Sequence, residues 1–213
     1  MKINLFKGLS LLTNVSYFFR GCVFLDDYID AELFEDCTAL ANTSYMFASC
    51  ESLGQERNAK STLSEGLFSH NLNLESTAYM FNYCINLNGA IPDLFKNDND
   101  EPYTKLYNIN WMFGYANTDA DENGYAFSEE FLDNLTSLVS AEFLFGGFNR
   151  TSGRAKSNVS YKLHEVVPFI KSSNFTRAQG MFSNSYLTGV IDNNLFRPAV
   201  YSLENIKETF YNT

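Results

Sequence analysis

Positive charge is scarce in this chain. Fifteen Lys and Arg stand against twenty-five Asp and Glu, and the formal net charge is −10. Contact with nucleic-acid phosphates needs clustered Lys and Arg, so that partner class is argued against. An anionic membrane surface is argued against on the same ground. Histidine is scarcer still. His70 follows the repeat phenylalanine Phe68 by two residues and reads as exposed, and His164 falls in an insert. Neither has a nucleophile or acid partner at a recognised spacing, and no G-x-S-x-G or phosphate-binding loop occurs. With no convergent acid, base, nucleophile or metal set, an enzyme is not expected. No apolar run reaches the roughly 18–20 residues of a membrane-crossing helix. The opening "MKINLFKGLSLL" starts with Lys2 and apolar residues, as a signal peptide does. Lys7 interrupts it, and "TNVSYFFRG" replaces a small-residue cleavage site, so it reads as mature chain.

What the chain has is aromatic and apolar mass. Apolar residues make up 45% of it, with 20 Phe and 13 Tyr, which is enough to fold. These residues recur. Internal methionines are followed by phenylalanine at Met46-Phe47, Met80-Phe81, Met112-Phe113 and Met181-Phe182. Alignment on that residue gives Phe19, Phe47, Phe81, Phe113, Phe145, Phe182 and Phe210. A second phenylalanine stands 13 residues earlier at Phe6, Phe34, Phe68 and Phe169. Phe131 and Phe196 fit with one extra residue, and Phe95 with a longer insert. Leucine follows by six residues in the best-kept copies, for example Phe47 to Leu53 and Phe81 to Leu87.

The three-residue spacing of Phe47, Cys50 and Leu53 predicts one apolar side of a short helical turn. A polar residue lies two after the ladder leucine at Asn14, Asn42, Ser76, Asn108, Ser140 and Asn205. It can cap the start of that turn or form a side-chain ladder between copies. The runs at 25–30, 87–92 and 187–192 predict short strands with turns. One such unit cannot bury its own apolar face, whereas stacked copies bury a continuous core. An α/β repeat solenoid of about seven degenerate copies is the expected fold, as a single array over residues 1–213. Neither end shows a polar cap. The expectation is therefore a segment of a longer chain, or ends covered by neighbouring subunits of a large particle.

The stretches "MFASCESL" at 46–53, "MFNYCINLNGAIPDLF" at 80–95 and "MFSNSYLTGVIDNNLF" at 181–196 resemble the BspA-like leucine-rich repeats of bacterial surface proteins and mycoplasma lipoproteins. Those carry an MF-x-x-C-x-x-L-x-G-x-I signature. The resemblance runs from Leu5 to Thr213. It implies a leucine-rich-repeat-like solenoid, surface recognition or adhesion, and no catalytic residues. The copies here vary in length, and Trp111 lies two before Phe113 rather than in the strand region where the family often carries a tryptophan.

Cys22, Cys37, Cys50 and Cys84 each follow a repeat phenylalanine by three residues. The slot reads as one for a small or apolar inward side chain, favoured over disulfide, redox or metal roles. One stretch fits a calcium loop, D-x-[DN]-x-[DN]-G-x5-E, with Asp119, Asp121, Asn123, the Tyr125 carbonyl and Glu130 as ligands. Gly124 also fits the repeat glycine, and Phe127 stands where a loop would carry a polar group. A solvated acidic insert is therefore the preferred reading, with no cofactor expected unless calcium binds here.

The inserts are 54–66, 96–105, 117–124 and 149–165. The last holds Arg150, Arg154, Lys156 and Lys162, a basic stretch able to meet an acidic partner. Inserts grouped on one side of a rigid repeat are where such scaffolds place contacts. The sequence thus predicts a non-enzymatic surface recognition or adhesion module, at a cell or virion surface, with a protein or cell-surface ligand. The alternative is a structural component, such as a fibre, spacer or decoration protein of a phage virion. Exposed aromatics would favour the first, and apolar uncapped ends the second.

Overall fold

A computed structural model describes residues 5–55, 61–119, 124–149, 161–162, 171–188, 195–199 and 201–213. Within them the chain climbs through seven rungs that lie parallel on one another. Single-residue parallel bridges link Asn14 to Asn42, Asn42 to Ser76, Ser76 to Asn108, Asn108 to Ser140, Ser140 to Arg177, and Arg177 to Asn205. Six of these seven are the polar slot read from the sequence. Arg177 fills the slot in the sixth rung.

Each rung donates to the next through the same row of backbone groups. Thr43, Tyr45, Phe47 and Ser49 N–H donate to the carbonyls of Ser76, Ala78, Met80 and Asn82, at 2.8–3.1 Å. The row is repeated with four bonds at all six rung interfaces, ending with Ala178, Gly180, Phe182 and Asn184 donating to Asn205, Lys207, Thr209 and Tyr211. The intervening N–H groups close turns inside the rung. Met46 donates to Thr43, Ala48 to Tyr45, Cys50 to Phe47 and Leu53 to Cys50. The backbone groups of this buried edge thus find partners without a helix or a long strand.

Here the structure departs from the short helical turn. Tyr45 has φ 61° and Ser49 φ 60°. Positive φ at the third residue of an i to i+3 bonded turn defines a type II turn and breaks a 3₁₀ course. The segment is a train of overlapping turns in which Phe47, Cys50 and Leu53 all face inward, each 1% exposed or less. Among the described residues the helices are 3₁₀ only, at Ala31–Phe34 and Arg197–Ala199. The first is capped by Asp30, whose side chain accepts from Glu32 N. β1 (Tyr161–Lys162) pairs in parallel with β2 (Leu187–Thr188). The runs at 25–30 and 87–92 make one bridge each, Ile29 to Leu63 and Ile91 to Phe127.

The core is a set of like-on-like columns. Phe19, Phe47, Phe81, Phe113, Phe145, Phe182 and Phe210 stack ring on ring at 5.3–5.9 Å between centroids. Phe6, Phe34, Phe68 and Phe95 form a second column at 5.4–5.8 Å. It tilts by 49° at Phe131, where the spacing between the two phenylalanines gains a residue. The inserts return to this core. Thr62 and Leu63 are buried, as are Tyr103, Asn117 and Thr118. The Tyr103 hydroxyl donates to the Phe68 carbonyl at 2.6 Å. Phe169, placed in the repeat by its spacing, lies outside the described residues; Phe175 stacks on Phe196 at 6.1 Å.

Candidate functional site

The polar slot serves both roles open to it. Ser76 Oγ lies 2.9 Å from Ser44 Oγ, Ser140 Oγ donates to Asn110 Oδ1 at 2.7 Å and Asn205 Nδ2 donates to Gln179 Oε1 at 3.1 Å, all between neighbouring copies. The slot also caps the turn. Asn14, Asn42, Asn108 and Asn205 Oδ1 each accept from the N–H two residues on, at 2.8–3.0 Å. That side-chain turn sets the chain into the positive-φ residue that follows.

The residue so placed is aromatic in five rungs. Tyr17, Tyr45, Tyr79, Trp111 and Phe143 have φ of 53–63°. A bulky residue in this region is an outlier in isolation. Here the five rings stack on one another at 4.7, 4.4, 5.9 and 4.4 Å, within 14° of parallel. Stacked pairs contribute about 0.5–1.5 kcal/mol each beyond their buried area, enough to offset much of the conformational cost. Gly180 carries the slot in the sixth rung with φ 58°, directly beneath the Phe143 ring.

A second line runs beside it, four residues on. Tyr83 stacks on Tyr115 at 4.8 Å, and Trp111 on Tyr115 at 5.8 Å. Together the rings form a ridge along the outside of the rungs. Tyr45, Tyr79 and Trp111 each stack on a ring of the rung before and of the rung after, whereas Tyr17 and Tyr83 each stack on one ring. Tyr17 is 50% exposed and Tyr83 43%. The Arg20 guanidinium lies 5.5 Å from the Tyr17 centroid and 5.4 Å from that of Tyr45. The Tyr79 hydroxyl is pushed up to about 12, chiefly by burial, with the Tyr45 ring and hydroxyl and the Glu142 charge acting in the same direction. The Tyr79 hydroxyl is therefore neutral at physiological pH. Its signal is printed in the sequence as "SYFF", "SYMF", "AYMF", "NWMF" and "EFLF", the aromatic always two before the repeat phenylalanine.

The cysteines have a structural role finer than space-filling. Cys50 Sγ donates to the Phe19 carbonyl at 3.1 Å and Cys84 Sγ to that of Phe47 at 3.1 Å. Cys37 Sγ lies 3.7 Å from the Phe6 carbonyl. Asn71 and Tyr103 make the same bond from other side chains, to Phe34 and Phe68. Each donor spans one rung and ties it to the preceding phenylalanine. All four cysteines are free thiols, and only Cys22 is exposed. Burial pushes the Cys50 thiol up to about 12 and raises Cys37 and Cys84 as well, which keeps the S–H group in place as a donor.

The other candidate residues are not brought together. Of the calcium-loop set, Asp121 and Asn123 lie outside the described residues. Asp119 Oδ2 accepts from Gly89 N at 3.4 Å, and Glu130 N donates to Ser128 Oγ. No group of three metal-ligating side chains occurs among the described residues. Arg150, Arg154 and Lys156 lie outside the described residues, and the Lys162 backbone belongs to β1. His70 is exposed, and His164 lies outside the described residues. No helix among the described residues is long and apolar enough to cross a membrane. Comparison of the chain with protein-family models, with curated proteins and with solved structures finds no match.

Proposed function

We propose that the chain is a leucine-rich-repeat-like solenoid of the BspA-like type, acting as a non-enzymatic recognition module at a cell or virion surface. The observation that supports this best is the outward ridge of Tyr17, Tyr45, Tyr79, Trp111 and Phe143, flanked by Tyr83, Tyr115 and Arg20. Tyrosine, tryptophan and arginine are the residues that carry most of the energy at protein contacts. They are held here on a rigid backbone, so little entropy is lost on contact. Tyr17 and Tyr83, each stacked on one ring and about half exposed, are the parts of the ridge left to meet a partner running along it.

The test is binding of the labelled chain to immobilised matrix proteins, glycans and cultured cells. Tyr83→Ser and Tyr17→Ser remove exposed parts of the ridge while leaving the core columns alone. Saturable binding that weakens at least tenfold in the double variant is the expected outcome, at about 1–2 kcal/mol per anchor. Binding indifferent to both substitutions, or no binding at all, overturns it. The second reading, a structural part of a large assembly, is favoured by apolar exposure in the first rung, where Leu11 is 88% and Phe24 91% exposed.

A further inference from the structure

The ridge holds phenol rings in register across neighbouring rungs. Tyr45 lies on Tyr79 at 4.4 Å between centroids and 6° from parallel. In the second line Tyr83 lies on Tyr115 at 4.8 Å and 27°. The partners of each pair belong to successive rungs, so the fold alone brings them together. Phenols stacked face to face point the π orbitals of their ring carbons at one another. That is the orientation in which two phenoxyl radicals join.

The two pairs are also connected. Tyr115 stacks on Trp111 at 5.8 Å, and Trp111 on Tyr79 at 5.9 Å. Tyrosine and tryptophan are the aromatic side chains that give up an electron most readily, and contacts this short let the deficit pass from ring to ring. Tyr83 is 43% exposed, so an oxidant in solution meets the line there. From it an unbroken series of contacts runs through Tyr115, Trp111 and Tyr79 to Tyr45. Beyond Trp111 the line passes to Phe143 at 4.4 Å, a ring that resists oxidation, so radicals stay among the tyrosines. The Tyr79 hydroxyl, kept protonated chiefly by burial, gives up its proton only with the electron.

We infer that the ridge is a site of oxidative cross-linking, at which a haem peroxidase with hydrogen peroxide joins Tyr45 to Tyr79 and Tyr83 to Tyr115 as dityrosine. In each pair both phenols give up one electron and the hydroxyl proton. The radicals join carbon to carbon beside the hydroxyls, and the hydrogens on those carbons move to the oxygens, which restores both rings. Hydrogen peroxide takes the two electrons and two protons and leaves as two waters. The bond ties one rung to the next and limits the unfolded chain, which stabilises the stack. Nothing in this depends on the ridge binding a partner, and the experiment reads cross-links alone.

The test treats the dilute chain with a haem peroxidase and hydrogen peroxide, then maps cross-linked peptides by mass spectrometry. The expected product fluoresces as dityrosine, still runs as a monomer in denaturing electrophoresis and melts above the untreated chain. It carries the Tyr45–Tyr79 and Tyr83–Tyr115 links, each lighter by two hydrogens than its parts. Tyr107, Tyr186, Tyr201 and Tyr211 are the internal control. They are 48–101% exposed and have no ring stack among the described residues, so exposure without stacking would select them. Tyr45→Phe keeps a ring in the stack and abolishes the first link, and Tyr83→Phe abolishes the second. Melting curves establish that both variants are folded. In urea the two links are lost from the parent. Absence of dityrosine, links formed only between molecules, links among the exposed tyrosines in place of the ridge, or a yield unchanged in both variants would each overturn the inference.

Discussion

Single residues in this molecule act across the rung boundary rather than within their own turn. Asn71 shows how finely. It is fully buried, and its Nδ2 donates to the Phe34 and Cys37 carbonyls at 3.1 and 2.9 Å, but its Oδ1 has no donor among the described residues. A buried acceptor without a partner costs about 1–3 kcal/mol. Cysteine serves the same slot at 37, 50 and 84 with one donor and no strong acceptor to satisfy. Asn71→Cys is therefore expected to stabilise the chain by about 1 kcal/mol in urea unfolding, and a loss of stability would show that the Cys37 bond outweighs the orphan oxygen. Asp93 gives a second test. It is 4% exposed, and its Oδ1 accepts from Phe95 N at 3.0 Å. Burial pushes its carboxyl up to about 6 from 3.8; the Phe95 N–H opposes this, and Glu130, Glu65 and Asp133 reinforce it. Between those values the folded chain holds a proton that the unfolded chain has released. Stability from this group is greatest below 3.8 and is lost as pH rises through 6. Asp93→Asn keeps the acceptor and removes the titration. Its melting temperature is expected to exceed that of the parent at about pH 7 and to match it near about pH 4.

At the scale of the turn, the aromatic slot is the element that spacing leaves half legible. The repeat itself is plain in the sequence. Cys22, read into the inward slot, is exposed because it lies in the first rung, which has a neighbour on one side only among the described residues. The phenylalanine columns, the inward Cys37, Cys50 and Cys84, and six of seven bridging residues follow from spacing alone. Two things do not. A three-residue period is shared by a 3₁₀ course and by overlapping β-turns, and only the sign of φ at Tyr45 and Ser49 separates them. The ridge has its signal in the spacing, an aromatic two before the repeat phenylalanine, but spacing does not tell that this residue takes a left-handed backbone, as Tyr45 does, and stacks apart from the core columns. Nor does spacing tell that Thr62, Leu63 and Tyr103, inside two of the inserts, are buried. Gly180 tests how rigid the slot is. With φ 58°, it would place an added Cβ 2.2 Å from the Phe143 Cε1 atom. Gly180→Ala combines a left-handed alanine with a steric clash against the ridge, and about 2–4 kcal/mol of destabilisation is expected. Near-neutral behaviour would mean that Phe143 is free to leave the stack, and that the ridge is no rigid surface.

For the whole molecule the columns make stability a sum over neighbours. Each rung touches the one before and the one after, so an inner rung is held from both sides and an outer rung from one. The phenylalanine column isolates this difference, because the same side chain recurs in the same environment. Phe81 lies between Phe47 and Phe113 at 5.7 and 5.4 Å and is 0% exposed. Phe210 has one ring neighbour in the column, Phe182 at 5.3 Å, and is only partly buried. Phe81→Ala removes two stacks, opens a cavity and interrupts the path by which one half of the stack supports the other. It is expected to cost about 3–5 kcal/mol. Phe210→Ala removes one stack at a half-open site, and a loss of about 1–2 kcal/mol is expected, scaled from the burial of one phenylalanine. Amide exchange separates the two outcomes further. The parent chain should protect the inner row, such as Phe81 and Phe113 N–H, far more than Tyr17 or Phe210 N–H. In Phe81→Ala the protection of the rungs on both sides should fall together, whereas in Phe210→Ala the loss should be confined to the last rung. Equal costs at the two positions, or protection lost evenly over the chain in both, would mean that the molecule unfolds as one globular unit, with no nearest-neighbour order in its energetics.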